Sequence, residues 1–258
     1  MIAMSRKGFN RAADIPDYVL QALSRGEIQT ATLAECMALD QALLVRTVFP
    51  ELSSASLKAV DEACQQLGIL KRMNRIGVIL LEELSTAGID RCLSHRVDTV
   101  RGWACFMIGA QDDLSNKTRL TRIRPLADDM HFGVREWSWM AVRPHLVREL
   151  DEAINYLSKW TTESSANLRR FASEALRPRG VWCSHIVELK REPEKALPIL
   201  SALYADPSPY VQDSVANWLN DAAKDKPEWV RNLCGQWLQG EPVDATRRIC
   251  QRALRNLK

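Results

Sequence analysis

The segment Asn167-Leu-Arg-Arg-Phe-Ala-Ser-Glu-Ala-Leu-Arg-Pro-Arg-Gly-Val-Trp182 decides how the rest of the chain is interpreted. It has the apolar spacing of an amphipathic helix, then a proline that stops a helix, two arginines beside that proline and a tryptophan. Residues 133–144, Gly-Val-Arg-Glu-Trp-Ser-Trp-Met-Ala-Val-Arg-Pro, repeat this pattern with the same Arg-Pro stop. Residues 210–221 repeat it with Asn-Asp in place of Arg-Pro. A recurring helical unit is therefore predicted.

The unit can be followed through five copies, clearest at residues 92–258. Its first position, the marker, recurs at spacings of 34, 34, 43 and 35 residues, and the positions three, four and eight residues later are mostly apolar. This spacing places one inward stripe on each of five helices. The markers are Val100, Val134, Leu168, Val211 and Thr246. A first helix precedes the later copies around residues 120–127, 146–160, 197–204 and 227–238. Helix pairs at this period predict an all-α fold, an α-solenoid of HEAT-like pairs with a curved, concave face.

The remaining sequence fits the same fold. Residues 1–13 are polar and basic and are predicted to be a flexible N-terminus, and residues 14–258 a single HEAT-like repeat domain. Ahead of the repeats, helices are predicted from Ile15-Pro16, over residues 26–44, from Ser53-Ser54 to Leu67, and over residues 71–84. No period-2 alternation persists, so we expect about a dozen helices and no sheet.

Composition narrows the functional classes. The 258 residues are 46% hydrophobic and 26% charged, as in soluble globular proteins. No apolar run approaches the ~18 residues of a membrane span, and the N-terminus lacks the apolar stretch of a signal peptide. The seven cysteines include no Cys-x-x-Cys pair and the four histidines show no metal-ligand spacing. We therefore expect a cytoplasmic protein with reduced thiols, no metal site and no membrane partner.

The basic residues suggest a polyanionic partner. Residues 96–258 carry 25 Lys and Arg against 21 Asp and Glu, whereas residues 1–95 carry 10 against 11. In four of the five copies an arginine follows the marker: Arg101, Arg135, Arg169 and Arg247. On the concave face of a solenoid these would form a ladder suited to a phosphate backbone. The alternative is that they are solvated residues at helix N-termini, paired with local acids such as Glu136.

Residues 168–179 followed by Trp182 resemble the RR-x-x-SE-x-x-RPR-x-x-W signature of the HEAT-like DNA alkylation repair proteins, and so do residues 206–225. The similarity is to the AlkC branch, related to AlkD. It covers about residues 90–258 and is specific from 165 to 232. The resemblance implies a monofunctional glycosylase that excises cationic N3- or N7-alkylpurines from double-stranded DNA, without a metal or organic cofactor. We expect it to be a monomer.

The residue types suit that chemistry. An alkylated purine leaves easily because it already carries positive charge, and a carboxylate stabilises the oxocarbenium-like sugar that forms. Carried over by position, Asp221 is that carboxylate and Trp182 an aromatic contact to the cation. The DNA-binding residues implied by the resemblance or by the ladder are Arg135, Arg143, Arg169, Arg177, Arg179, Lys224 and Arg247. Alternatively, Asp221 only pairs with Lys224 or Arg177, and Trp182 is packed at a helix junction.

One position departs from the family pattern. Trp139 stands where the AlkC branch has an active-site glutamate. An indole can neither orient water nor balance a cation with full charge, so excision would be weakened, redirected or lost. It could instead build a more AlkD-like aromatic cleft with Trp182. The leading hypothesis is a DNA glycosylase acting through Asp221. The alternatives are a non-catalytic protein that recognises damaged or branched DNA by shape, and a protein–protein scaffold.

Overall fold

The computed structural model describes residues 6–257, and every regular element in that range is helical. This confirms the predicted all-α class. The range holds fifteen α-helices and two short 3₁₀ helices, Ala12–Asp14 and Pro193–Ala196. The α-helices are α1 (Asp17–Ser24), α2 (Leu33–Ala38), α3 (Gln41–Val48), α4 (Ser54–Gln66), α5 (Ile69–Leu93), α6 (Asp98–Gly109), α7 (Asn116–Ala127), α8 (Phe132–Arg148), α9 (Leu150–Trp160), α10 (Ala166–Glu174), α11 (Val187–Arg191), α12 (Leu197–Leu203), α13 (Pro209–Ala222), α14 (Pro227–Trp237) and α15 (Asp244–Ala253).

The helices form two compact units, and the single HEAT-like repeat domain over residues 14–258 stays a prediction. Unit 1 comprises residues 6–113 and 130–141 of the described chain, and unit 2 comprises residues 114–129 and 142–257. Helix α8 contributes to both. A division of this kind suits stacked helix pairs, because each pair is stabilised mainly by its nearest neighbours.

Unit 2 is built from successive helix pairs, as in a HEAT-like solenoid. Helices α10, α13 and α15, the second helices of three pairs, pack side by side. Helix α9 packs against α10 and α12, which places the first helices in a neighbouring row. The segment 167–182 therefore begins on α10, the second helix of its pair, and continues into the connection after it.

The predicted inward stripe is confirmed across both units. All five markers are almost completely buried, and so are the residues three and four positions after each. The positions eight residues after the marker are buried in four copies, with only Leu254 partly exposed. Burying one such aliphatic side chain stabilises the fold by about 2 kcal/mol, so the stripe sets the stacking of the pairs.

Two helix boundaries in unit 1 differ from the prediction. Residues 26–44 form two helices because Thr32 caps α2 and Asp40 caps α3, the latter accepting hydrogen bonds from the N–H groups of Ala42 and Leu43 at 2.9 and 3.0 Å. The predicted helix 71–84 extends to Leu93, with a kink at Ser85, where φ is 55° and ψ is −155°. A side-chain-bearing residue there is strained, and the kink coincides with the predicted end of the helix.

The prediction that an Arg-Pro pair ends each helix holds for one of the two pairs and is wrong for the other. Helix α10 ends at Glu174, before Arg177-Pro178, as the stop requires. Helix α8, however, runs through Pro144 to Arg148. A proline inside a helix costs about 3 kcal/mol, because it removes one hydrogen bond and crowds the preceding turn. The burial of Leu146, two residues further along α8, contributes about 2 kcal/mol and offsets part of this cost.

The predicted flexible N-terminus is packed where the structure describes it; residues 1–5 lie outside the described range. The carboxylate of Glu35, itself fully buried, accepts hydrogen bonds from Arg6 at 2.5 and 2.9 Å and from the N–H of Phe9 at 3.0 Å. Burial alone would raise the pKa of Glu35, but these bonds and one from the N–H of Ala31 bring it below the usual value. Residues 6–9 are thus anchored to the start of α2.

Among residues 6–257, none of the helices combines the length and the apolar character that a membrane crossing requires.

Candidate active site

Asp221 lies on the last turn of α13 and is 5% exposed. Its Oδ2 accepts two hydrogen bonds from Arg177, from Nε at 3.0 Å and from Nη2 at 2.7 Å. Its Oδ1 lies 3.3 Å from the ammonium of Lys224, whose side chain is 48% exposed. Both ion pairs that the sequence raised as an alternative are therefore formed. One oxygen of the carboxylate is thus held by a buried guanidinium, and the other lies beside the half-exposed ammonium of Lys224.

A second carboxylate, Glu174, shares Arg177 with Asp221. Arg177 Nη1 donates to Glu174 Oε1 at 2.7 Å, and the Ser214 hydroxyl donates to Glu174 Oε2 at 2.6 Å. Burial alone would raise the pKa of Glu174, but the charges of Arg170 and Arg177 and the bond from Ser214 lower it. The pKa of Arg177 is raised, because the two carboxylates outweigh its burial. The shifts of Glu174 and Arg177 therefore both favour the charged form of the group.

Glu174 lies within the motif of residues 168–179, but no role was predicted for it from the sequence. Its signal was the i, i+3 spacing from Glu174, the last residue of α10, to Arg177 just after the helix, which brings an acid and a base close together. The Asp221 partner comes from the next repeat, and no local pattern indicates it.

Arg143 organises the loop that connects α10 to α11, residues 175–186. Its guanidinium donates to the carbonyl of Ala175 at 2.7 Å, of Arg177 at 2.6 Å and of Ser184 at 3.2 Å. It is 2% exposed, and burial lowers its pKa to about 10. A Cβ on Gly180 would lie 3.2 Å from its Cζ, so the loop closes tightly over it. In this structure the predicted phosphate contact Arg143 is buried and directs its donors to carbonyls, so its role in binding DNA stays a prediction.

Trp182 lies on this loop with a left-handed backbone, at φ 59°, and its residue is 49% exposed. For a bulky side chain this conformation costs on the order of 1–3 kcal/mol and persists only where surrounding contacts enforce it. Arg143 supplies such contacts on both sides of Trp182. An indole that is half exposed is not core packing, so the alternative interpretation of Trp182 does not describe the structure.

Trp139, unlike the half-exposed Trp182, is buried. It lies in unit 1, is 1% exposed, and its indole N–H donates to Glu136 at 2.9 Å. In this structure it offers no face to a nucleotide, because its side chain is buried. We therefore leave Trp139 out of the proposed site.

In three of the four copies that carry it, the arginine after the marker braces the loop before its own helix. Arg101 donates to the carbonyls of residues 95 and 96, Arg135 to that of residue 130, and Arg169 to those of residues 163 and 164, at 2.8–3.0 Å. Arg169 also binds the buried Asp206 through Nε at 2.6 Å and Nη2 at 3.1 Å. Arg247 is exposed and lies 3.7 Å from Asp244. The period of this arginine is thus explained by the connection that each repeat must close.

The surface near the candidate site carries further basic residues. Arg179 binds Asp225 at 3.0–3.2 Å, and Lys190 lies 3.5 Å from the same carboxylate. Three arginines that sequence reasoning missed lie at i, i+4 and i+7, two on α15 and the third in the turn that follows it. They are Arg248 and Arg252, which contact Asp213 at 2.6 and 3.1 Å, and Arg255, which donates to Asn217 at 3.0 Å.

Within the described residues, no three His, Cys, Asp or Glu side chains converge in the way a metal site requires. The groups available for chemistry are therefore a paired carboxylate, an exposed indole on a braced loop, and guanidinium and ammonium groups around them.

The chain is similar to proteins of known structure. It matches the Pseudomonas fluorescens alkylpurine DNA glycosylase AlkC bound to DNA containing an abasic site analog with a TM-score of 0.67 and 25% identity, over 92% of this chain and 62% of that chain. It matches AlkD2 from Streptococcus mutans with a TM-score of 0.56 and 19% identity, over 84% of this chain and 97% of that chain. The second likeness is one of fold.

Sequence comparison leads to the same group. The uncharacterized protein YhaZ of Bacillus subtilis (strain 168) is 42% identical over 105 residues, which are 41% of this chain and 29% of YhaZ. The match therefore spans under a third of YhaZ, and that to AlkC spans under two thirds of AlkC. The family model for the DNA alkylation repair enzyme matches residues 83–253, well over half of the chain. The chain belongs to the DNA alkylation repair enzyme family.

Proposed function

We propose that this protein binds double-stranded DNA and hydrolytically excises cationic N3- or N7-alkylated purines, with Asp221 as the carboxylate that stabilises the positive sugar. Membership of the family and the likeness to an alkylpurine DNA glycosylase bound to DNA support a DNA repair role of the glycosylase type. The assignment of the chemistry to Asp221 rests on its surroundings in this chain.

The observation that carries the proposal is that the two carboxylate oxygens of Asp221 have different partners, one buried and one half-exposed. Oδ2 is held by two bonds from the buried Arg177, which fix the direction of the carboxylate. Oδ1 faces the half-exposed ammonium of Lys224 at 3.3 Å, and an ion pair with an exposed partner contributes about 0–1 kcal/mol. A positive sugar arriving at Oδ1 would replace one cation by another. The exchange therefore leaves no buried charge unpaired.

Trp182 completes the proposed site as an aromatic contact. A cation over an indole face gains about 0.5–2 kcal/mol, the larger value when water is excluded. The braced loop presents the indole without letting it collapse onto the protein, since Arg143 holds the carbonyls of Arg177 and Ser184 on either side of it. We assign Arg143 to positioning this loop.

The DNA backbone would be held by the basic residues of unit 2 that reach the surface. They include Lys224, Arg179, the α15 residues Arg248 and Arg252, and Arg255 just after α15. Arg135, Arg169 and Arg247 remain predicted contacts, and Arg177 acts through Asp221. Because phosphate contacts release counterions, the affinity for DNA should fall steeply with salt.

A second candidate function is DNA binding without base excision. The observation favouring it is the burial of Asp221, which is 5% exposed and already in two ion pairs. In that case Asp221 would only join α10 to α13.

Base release from DNA containing N3-methyladenine and N7-methylguanine separates the two candidates. Wild-type protein is compared with Asp221→Asn, which keeps the shape of the side chain but removes its charge. Asp61→Asn is the matched control, because Asp61 is also bound by an arginine, Arg46, at 2.5 Å but lies in unit 1. We expect wild type and Asp61→Asn to release base and Asp221→Asn to lose at least a hundredfold in rate. DNA binding with no release from any of the three would refute the glycosylase proposal.

A further inference from the structure

Lys224 has two proposed partners that it cannot contact at the same time. Its ammonium lies 3.3 Å from Oδ1 of Asp221, the oxygen proposed to face the sugar. The same ammonium is one of the cations proposed to hold the DNA backbone. A lysine carries one compact charge at the end of a flexible chain, so it pairs closely with either the carboxylate or a phosphate. The two contacts therefore belong to two different states of the protein.

An ammonium at Oδ1 opposes the chemistry proposed for Asp221. A sugar that becomes positive beside Oδ1 would have the charge of Lys224 as a near neighbour, and like charges at this distance repel. The side chain of Asp221 is 7% exposed, so salt and water screen this repulsion poorly. Lys224 must therefore leave Oδ1 when the sugar is bound.

The surroundings of Lys224 allow its ammonium to leave Asp221. Its side chain is 48% exposed, whereas the side chain of Arg177, the other cation on Asp221, is 11% exposed. An ion pair with so exposed a partner is weak, because water competes for the charges. Arg177 keeps its two bonds to Oδ2 when Lys224 moves, so the buried carboxylate stays paired. Of these two cations, Lys224 is the exchangeable one.

A phosphate of the DNA backbone is the anion to which Lys224 can move. Lys224 lies just beyond the last turn of α13, and the next residue, Asp225, brings two further cations to this end of the helix. Arg179 donates to Asp225 at 3.0 Å, and the ammonium of Lys190 lies 3.5 Å from it. Every sugar within a strand has a phosphate on each side, so a strand docked at Asp221 carries phosphates to this group of cations.

We propose that Lys224 is a gate on Asp221 that the DNA backbone opens. Without DNA, its ammonium covers Oδ1. In the complex, it pairs with a phosphate next to the damaged nucleotide and leaves Oδ1 to the positive sugar. The gate selects damaged bases within a strand, because a free alkylated nucleoside has no flanking phosphate and leaves Lys224 on Asp221. This inference rests on the proposed role of Asp221 and adds the residue that couples it to the backbone.

The test compares the affinities of duplexes that differ at one nucleotide and at the two phosphates beside it. The nucleotide is either a protonated pyrrolidine, which mimics the positive sugar, or the neutral tetrahydrofuran. The two phosphates are either native or replaced by uncharged methylphosphonates. With native phosphates, we expect wild type to bind the pyrrolidine duplex about tenfold more tightly, since it adds one charged contact to Asp221. With methylphosphonates this preference should disappear, because Lys224 then stays on Oδ1.

Three variants complete the comparison. Lys224→Gln removes the gate, so its preference for pyrrolidine should be about tenfold on both backbones. It should also lower the slope of log affinity against log salt concentration by about 0.9, the value for one phosphate contact. Lys226→Gln is the matched control, because Lys226 is an exposed lysine two residues further on, and its preference should depend on the backbone as in wild type. Asp221→Asn should bind both analogues equally.

The outcomes separate the gate from the role of Asp221. A wild-type preference that persists with methylphosphonates, but is lost in Asp221→Asn, would overturn the gate alone. So would an unchanged salt slope in Lys224→Gln. A preference for pyrrolidine that is present in Lys224→Gln and absent from wild type on native phosphates would show that Lys224 stays on Asp221 in the complex. If wild type and Asp221→Asn give the same ratio of affinities, the proposed role of Asp221 fails, and the gate fails with it.

Discussion

Replacing Arg143 by alanine tests the idea that one buried guanidinium shapes the Trp182 loop. The substitution leaves three carbonyls, those of Ala175, Arg177 and Ser184, without their donor. A buried acceptor that loses its partner costs about 1–3 kcal/mol. Two of the three bonds are short, at 2.6 and 2.7 Å, and water can enter near the exposed Ser184. We therefore expect a loss of about 4 kcal/mol in the free energy that holds the loop closed.

The loss of this stabilising free energy would be seen either in the thermal unfolding midpoint or in the protease sensitivity of the loop. If the loop unfolds together with unit 2, the midpoint of thermal unfolding falls by about 10 °C. If the loop opens alone, the midpoint changes little, but residues 175–186 become open to proteases. In both cases Trp182 loses its enforced left-handed backbone, so base release should fall more than DNA affinity.

The assay combines thermal unfolding, limited proteolysis with mapping of the cut sites, and base release under single-turnover conditions. Arg143→Lys keeps the positive charge but not the fork of donors, and should restore only part of the loop protection. The control is Arg231→Ala, because Arg231 lies on α14 of the same unit, partly exposed, 3.8 Å from Glu228. Unchanged midpoint and unchanged proteolysis in Arg143→Ala would refute the bracing role.

Four further predictions concern the surrounding residues. Trp182→Gly relieves the positive φ but removes the indole, so we expect thermal stability within a few degrees of wild type and base release about tenfold lower. The pKa of Glu174 is lowered in the folded state. Its contribution to stability is therefore present above the ordinary pKa of 4.5 and is lost as the pH falls through the lowered pKa. Glu174→Gln should flatten the dependence of the unfolding free energy on pH in the acidic range. Arg169→Ala should lower the midpoint of thermal unfolding, because it leaves Asp206 buried without its partner. Arg252→Ala should reduce the slope of log affinity for duplex DNA against log salt concentration by about 0.9 and leave the stability unchanged.

The fold could be predicted because its main determinant is periodic. The marker and the residues three, four and eight positions later are apolar in successive copies, and the structure buries nearly all of them. Helix boundaries were less predictable because they depend on local competition. Asp40 caps a helix inside what reads as one long apolar pattern, and Pro144 is tolerated because the buried Leu146 follows it.

The candidate site was harder to predict than the fold. The sequence identified Asp221 and Trp182 only through the family resemblance. The partners that define their chemistry come from other repeats: Arg177 is 44 residues from Asp221, and Arg143 is 41 residues from Ser184. Such pairings depend on how the helices stack, which the apolar pattern sets without specifying which polar groups meet.

The arginine ladder shows why periodicity is a poor guide to ligand contacts in a repeat protein. Every helix pair has a connection whose carbonyls need donors, and an arginine one position after the marker supplies them in three copies. Selection for closing the connection therefore repeats this arginine whether or not DNA is present. A ligand, in contrast, meets only some of the repeats. The residues most informative about function should then be those that break the period, such as the exposed Trp182 on its braced loop and the arginines of α15. Both belong to unit 2, and neither follows from the repeat alone.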